Sequence, residues 1–155
     1  MVYGLWNRIK QIAVIYATAF LINFAWEMLQ MPFFSDLDYT ELATWFFCFK
    51  ASIGDANIIL FIFILGRVLF RDWEWVQELN GIKLVYLFLT GATIAILIET
   101  HALSTGRWRY SQIMPILLFI EVGLVPVIQL IILPISSLLV ASRFQSSANR
   151  KLRIP

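Results

Sequence analysis

Glu27, Asp55, Glu99 and Glu121 stand in or beside long apolar stretches, each with neighbours that suit a working carboxyl group. In "NFAWEMLQMP", Asn23 lies four residues before Glu27, so on a helix the two share a face, with Trp26 beside them. In "IETHALSTGRWRY", Glu99 is followed by His101, the only histidine, and then by Trp108 and Tyr110. Gln129 falls within ~80° of Glu121 around a helix, at ~100° per residue. A carboxyl group in an apolar surrounding resists ionisation and can act as a proton donor. Aromatic faces such as Trp26, Trp108 and Tyr110 can stabilise a cation formed on a hydrocarbon. The set therefore points to acid–base chemistry on a lipophilic molecule. Glu99 and Glu121 are the acid and base candidates, and Glu27 and Asp55 their electrostatic partners. Asn23, Trp26, His101, Trp108, Tyr110 and Gln129 would surround the ligand.

Other chemistries fit less well. Bundle di-metal sites use Glu-x-x-His pairs on one face, whereas Glu99 and His101, two apart, point ~200° away from each other on a helix. With a single histidine, no metal and no cofactor is expected, although a carboxylate-only site stays open. Ser104 and Thr105 lie near His101 without a Ser-His-acid order or a nucleophile elbow. There is no basic-aromatic stripe for nucleic acid, no Gly-rich phosphate loop and no internal repeat. The single cysteine, Cys48, allows no internal disulfide.

The elements that must hold these residues follow from composition. With 60% apolar and 14% charged residues, the chain cannot cover its apolar surface with polar groups, and a lipid bilayer is its natural solvent and first partner. Four apolar runs are long enough to cross it, at about 11–29, 53–70, 82–98 and 116–140. Backbone groups in lipid must be bonded within their own segment, so the runs are helices. The expected fold is an all-α integral membrane four-helix bundle, one transmembrane domain over 1–155 with a tail from 141. "LATWFFCFK" either extends the second helix outward or lies along the interface, after a turn-like "PFFSDLD" holding Asp36 and Asp38. Pro126 is expected to free a carbonyl inside the fourth helix.

Lysine and arginine set the orientation. Nine of the twelve fall on one side: Arg8, Lys10, Arg67, Arg71, Lys83, Arg143, Arg150, Lys151 and Arg153. Lys50, Arg107 and Arg109 fall on the other, which makes both termini cytoplasmic. No small-residue cleavage site follows the first apolar run, which reads as a retained helix. All four span carboxylates then lie toward the extracytoplasmic face.

The patterns "NFAWEMLQMP", "GD" at Gly54–Asp55 and "E…GRWRYSQIMP…GLVPVIQ" resemble a family of small bacterial inner-membrane proteins over about the whole chain. That resemblance implies the fold, the bacterial inner membrane and the residue list, without naming a reaction. An acid followed by "GxWxY" and a "G-x-x-P" helix is similar to the membrane lycopene cyclases, over about a quarter of the chain. There paired acids adjoin the proline motif; here Val127 and Ile128 take those positions.

A competing account uses the same residues structurally. Polar side chains in lipid lock helices together by hydrogen bonds averaging about 0.6 kcal/mol, so several are wanted. The chain would then be a non-enzymatic accessory or assembly subunit, with a homo-oligomer or a membrane partner protein as its company. Glu27, Glu99 and His101 would reach headgroups and water, Asp55 would pair with Lys50 or serve as a helix-start residue after Gly54, and Trp73, Trp75, Trp108 and Tyr110 would be interfacial anchors. A proton-coupled transporter fits less well, since the cytoplasmic halves of the spans lack ionisable residues for a relay. For a ligand site, "STGRWRY" should fold back over the pocket at Gly106, with Arg107 and Arg109 on the side opposite Trp108 and Tyr110.

Overall fold

A computed structural model describes residues 2–35 and 37–151; Asp36 lies outside them. Four helices run up and down: α1 (Val2–Gln30), α2 (Leu42–Phe70), α3 (Gly81–Ser104) and α4 (Leu124–Lys151). All four are long and apolar enough to cross a membrane. The shortest, 24 residues, reaches ~36 Å at ~1.5 Å per residue, against a hydrocarbon layer of ~30 Å. The protein is an all-α integral membrane four-helix bundle.

Local chemistry fixes the ends. Pro32, lacking an N–H, closes α1 into a single 3-10 turn over Met31–Phe33. "LATWFFCFK" is the start of α2, which stops where Arg71 turns left-handed, with φ 55°. Asn80 caps α3, its side chain accepting from the Lys83 N–H at 3.0 Å. The fourth span departs from its expected bounds. Residues 116–123 form a small hairpin, β1 (Ile116–Leu117) against antiparallel β2 (Val122–Gly123), and α4 starts at Leu124. Far from ending at 140, α4 continues to Lys151.

The later start of α4 moves its prolines. Pro126 falls in the first turn, where its missing N–H costs no helical bond. Pro134 is the proline inside the helix, and it deprives the Leu130 carbonyl of its i+4 donor. That carbonyl is covered by Gly91 of α3: a Cβ built at Gly91 would stand 2.0 Å from Leu130 O. Gly91, Ala95 and Glu99, one turn apart, are all buried, so the small-residue ladder packs α3 onto α4. On α2 a similar row, Thr44, Cys48, Ser52 and Ala56, is buried, and α2 packs chiefly on α1.

Helix α1 packs on α2 and α4, and α4 packs on α3, while α2 and α3 meet little. They meet at the end that carries the chain termini. There Tyr86 donates to the Ile62 carbonyl at 2.8 Å, and the 71–80 connection folds back into the gap. Trp75, expected as an interfacial anchor, is fully buried instead. Its ring lies on Gly66 and its indole N–H donates to the Phe63 carbonyl at 3.2 Å. Trp73 is half-buried, with the guanidinium groups of Arg8 and Arg67 4.6 and 5.1 Å from its ring centroid. Toward the opposite end, among the described residues, a cavity stands in the space between α2 and α3.

Gly91→Ala must force α3 and α4 apart, since the atom it meets is backbone. Overpacking of this kind costs about 1–3 kcal/mol. Gly54→Ala, with nothing within 4 Å of the new methyl group, should be neutral or slightly stabilising. Thermal unfolding of both variants in mild detergent checks this; equal melting temperatures would refute the close α3–α4 contact.

Candidate functional site

The site lies at the end opposite the termini, where two connections are stitched together. Residues 31–35 follow α1 and residues 107–111 follow α3, and they pair antiparallel through Phe34 and Tyr110. Ser35 N–H donates to the Arg109 carbonyl at 3.0 Å and Ser111 N–H to the Phe33 carbonyl at 2.9 Å. Gly106, at φ 65°, provides the bend that brings the second segment back over the helices. The expected fold-back of "STGRWRY" is present.

The fold-back delivers two donors to one carboxyl group. Tyr110 donates its hydroxyl proton to Glu99 Oε2, and Trp108 donates its indole N–H to the same oxygen at 3.3 Å. The Tyr110 oxygen in turn accepts the Gly123 N–H at 2.9 Å. The ring lies so close to Gly123 that an added Cβ there would stand 3.0 Å from it. Burial, and the Glu99 carboxyl group beside it, push the Tyr110 hydroxyl above the ordinary tyrosine range, so it stays a donor. Glu99 is buried at 4% exposure. Its Oε1 has no hydrogen-bond partner among the described residues.

A second cluster sits deeper, centred on Gln129 of α4. Its amide nitrogen is 2.8 Å from Glu27 Oε1, 2.9 Å from Asp55 Oδ2 and 3.2 Å from Asn23 Oδ1. An amide has two protons for these three acceptors, so the longest contact is a shared one. The Gln129 carbonyl oxygen accepts from Gln30 at 3.0 Å. Gln30 also donates to Glu27 at 2.7 Å and accepts from the Trp26 indole at 3.0 Å. Glu27 and Asp55 both bear on the one Gln129 amide nitrogen. Three helices are thus joined through carboxyl and amide groups.

A cavity of about 170 Å³ opens beside both clusters, in the space between α2 and α3. Glu27, Asp55, Glu99, Gln129, Trp108 and Arg107 line it, with apolar side chains between them. Glu27, Asp55 and Glu99 therefore meet at one end of the bundle, as expected, together with Asn23, Trp26, Trp108, Tyr110 and Gln129.

Two expected members are elsewhere. Glu121 is in the hairpin turn at φ 54° and is exposed. The helix it was placed in does not begin until Leu124, so it shares no face with Gln129. His101 is in the last turn of α3 with an exposed side chain; two residues from the inward-facing Glu99, it points out. Arg107 differs from its expected place as well. It lines the cavity beside Glu99, its guanidinium 5.3 Å from the Trp108 ring centroid. Gln30 is a network member that the sequence reading left out of the site, although its position three residues after Glu27 puts it on the same helix face. Among the described residues, no group of three or more metal-ligating side chains could hold a metal ion.

Fold and site define a polytopic membrane bundle with a buried carboxyl cluster facing a small cavity. No protein-family model, curated protein or solved structure matches the chain.

Tyr110→Phe removes a donor to Glu99 and strands the buried Gly123 N–H. Leaving a buried donor unsatisfied costs about 1–3 kcal/mol. Trp108→Phe loses one long hydrogen bond and should cost less. Unfolding free energies in a detergent–denaturant titration test the order; Tyr110→Phe as stable as the parent would contradict it.

Proposed function

We propose that the cavity binds an isoprenoid or other lipid and that Glu99 carries out acid–base chemistry on it. The observation that carries this reading is Glu99 itself. It is a buried carboxyl group on the cavity wall, held through one oxygen by Tyr110 and Trp108, with no hydrogen-bond partner for the other oxygen among the described residues. A carboxyl group used only as helix glue would have both oxygens engaged. Glu27 and Asp55, already tied to Gln129, act as the electrostatic background against which Glu99 exchanges its proton. Trp108 and Phe34 supply aromatic faces at the cavity wall. The lysine and arginine asymmetry supports an orientation with both termini cytoplasmic, which puts the cavity on the extracytoplasmic side. The motif likeness to small bacterial inner-membrane proteins supports that membrane as its place.

One observation favours a second reading. The direct pairing of Glu27 and Asp55 with Gln129 and Gln30 suits a structural lock. In that reading the chain is a non-enzymatic accessory or assembly subunit of a membrane complex.

Lipid extraction and mass spectrometry of the purified protein separate the two. The ligand reading expects a co-purifying lipophilic molecule. Gly54→Phe, which grows a ring into the cavity, should lose that molecule, and Gly54→Ala should keep it. Glu99→Gln should retain a lipid of altered composition, because the proton-exchanging group is gone. The same lipid profile in parent and Gly54→Phe protein would decide for the structural lock.

A further inference from the structure

The cavity at Glu99 continues into a shallower groove at the same end, and the two share Phe34, Leu37, Phe47, Arg107 and Trp108 as walls. The groove, about 280 Å³, adds Arg109 to Arg107. Both arginine side chains are exposed, and among the described residues neither guanidinium forms an ion pair. Glu41 is the acidic residue among the groove's described walls.

We infer that the molecule taken by the carboxyl-lined cavity is a lipid phosphate, with its anionic group on Arg107 and Arg109 and its chain directed into the cavity. This rests on the ligand-binding reading above. Charge sets the direction: an anion is drawn to the two guanidinium groups, whereas the inner cavity offers it carboxyl groups and apolar side chains and no cation beyond Arg107 among its described walls. Size supports it, because a space near 170 Å³ resembles engineered cavities of ~150 Å³ that take one benzene-sized body. The inner cavity thus accepts one end of a chain, and the head with the rest of the molecule occupies the groove and the neighbouring lipid. The number of donors favours phosphate over carboxylate. One guanidinium fork already satisfies a planar carboxylate, whereas a phosphate monoester presents three oxygens and can engage two forks.

The full chain, purified in a neutral detergent, is titrated with octyl phosphate, 1-octanol, octanoate, inorganic phosphate and dioctanoyl phosphatidic acid. Tryptophan fluorescence follows binding, since Trp108 lies on both walls. Octyl phosphate should bind about ten-fold or more tightly than octanol or octanoate, as expected for added hydrogen bonds between charged groups. Inorganic phosphate alone should not register. Arg107→Ala with Arg109→Ala should erase the margin of octyl phosphate over octanol. Arg109→Ala alone, at an exposed side chain, should lose part of the margin without lowering the melting temperature, so misfolding is told apart from lost recognition. The tighter of octyl phosphate and dioctanoyl phosphatidic acid identifies a single-chain or a diacyl source, and either supports the assignment. Equal binding of octanol and octyl phosphate overturns the headgroup site and leaves the cavity reading standing. Binding by none of the amphiphiles overturns both. Inorganic phosphate binding as tightly as octyl phosphate replaces the lipid site with a plain anion site.

Discussion

One side-chain amide, that of Gln129, joins α4 to α1 and α2 inside an apolar bundle. In lipid the hydrophobic effect gives helices little reason to associate with each other, so packing and interhelical hydrogen bonds must do it. A carboxyl group at span depth costs about 2.5–3.5 kcal/mol on insertion scales, and Glu27 and Asp55 both carry that penalty. Gln129 offsets it by donating to both at once, which fixes how α4 is rotated. That rotation turns Leu130, the next residue, so that its freed carbonyl meets Gly91 of α3. The amide contact thereby governs α3 as well, and with it the position of Glu99.

The second constraint is the unequal spacing of α2 and α3. Trp75 and Tyr86 fill the gap at the terminal end, where the Trp75 ring lies on Gly66. At the other end two connecting segments pair with each other and reach over the gap without filling it. A packed end and an open end in the same seam place the cavity next to the carboxyl groups. Trp108 and Tyr110 then tie the covering segment to Glu99, so the roof and that carboxyl group are one unit.

Much of this is legible in the residues. The four helices follow from apolar length, and the meeting of Glu27, Asp55 and Glu99 follows from depth and up-and-down order. The Asn23–Glu27 face and the Gly91–Ala95–Glu99 ladder follow from helical spacing alone. Glu121 was not legible, because an apolar run reads the same whether it is helical or folded as a hairpin. "PILLFIEVG" carries that ambiguity, and tertiary pairing of Ile116 and Leu117 with Val122 and Gly123 decides it. Arg107 shows the limit of local geometry, since alternation with Trp108 did not keep it off the cavity wall. The burial of Trp75 needed Gly66 from another element, a contact without any local signal.

A double-mutant cycle on Gln129 and Asp55 tests the central claim most directly. Unfolding free energies of the parent, Gln129→Leu, Asp55→Leu and the double variant are measured in one detergent. The account predicts a coupling of at least ~1 kcal/mol, above the average of ~0.6 for interhelical hydrogen bonds in a membrane bundle. A coupling indistinguishable from zero, with both single variants folded, would contradict it.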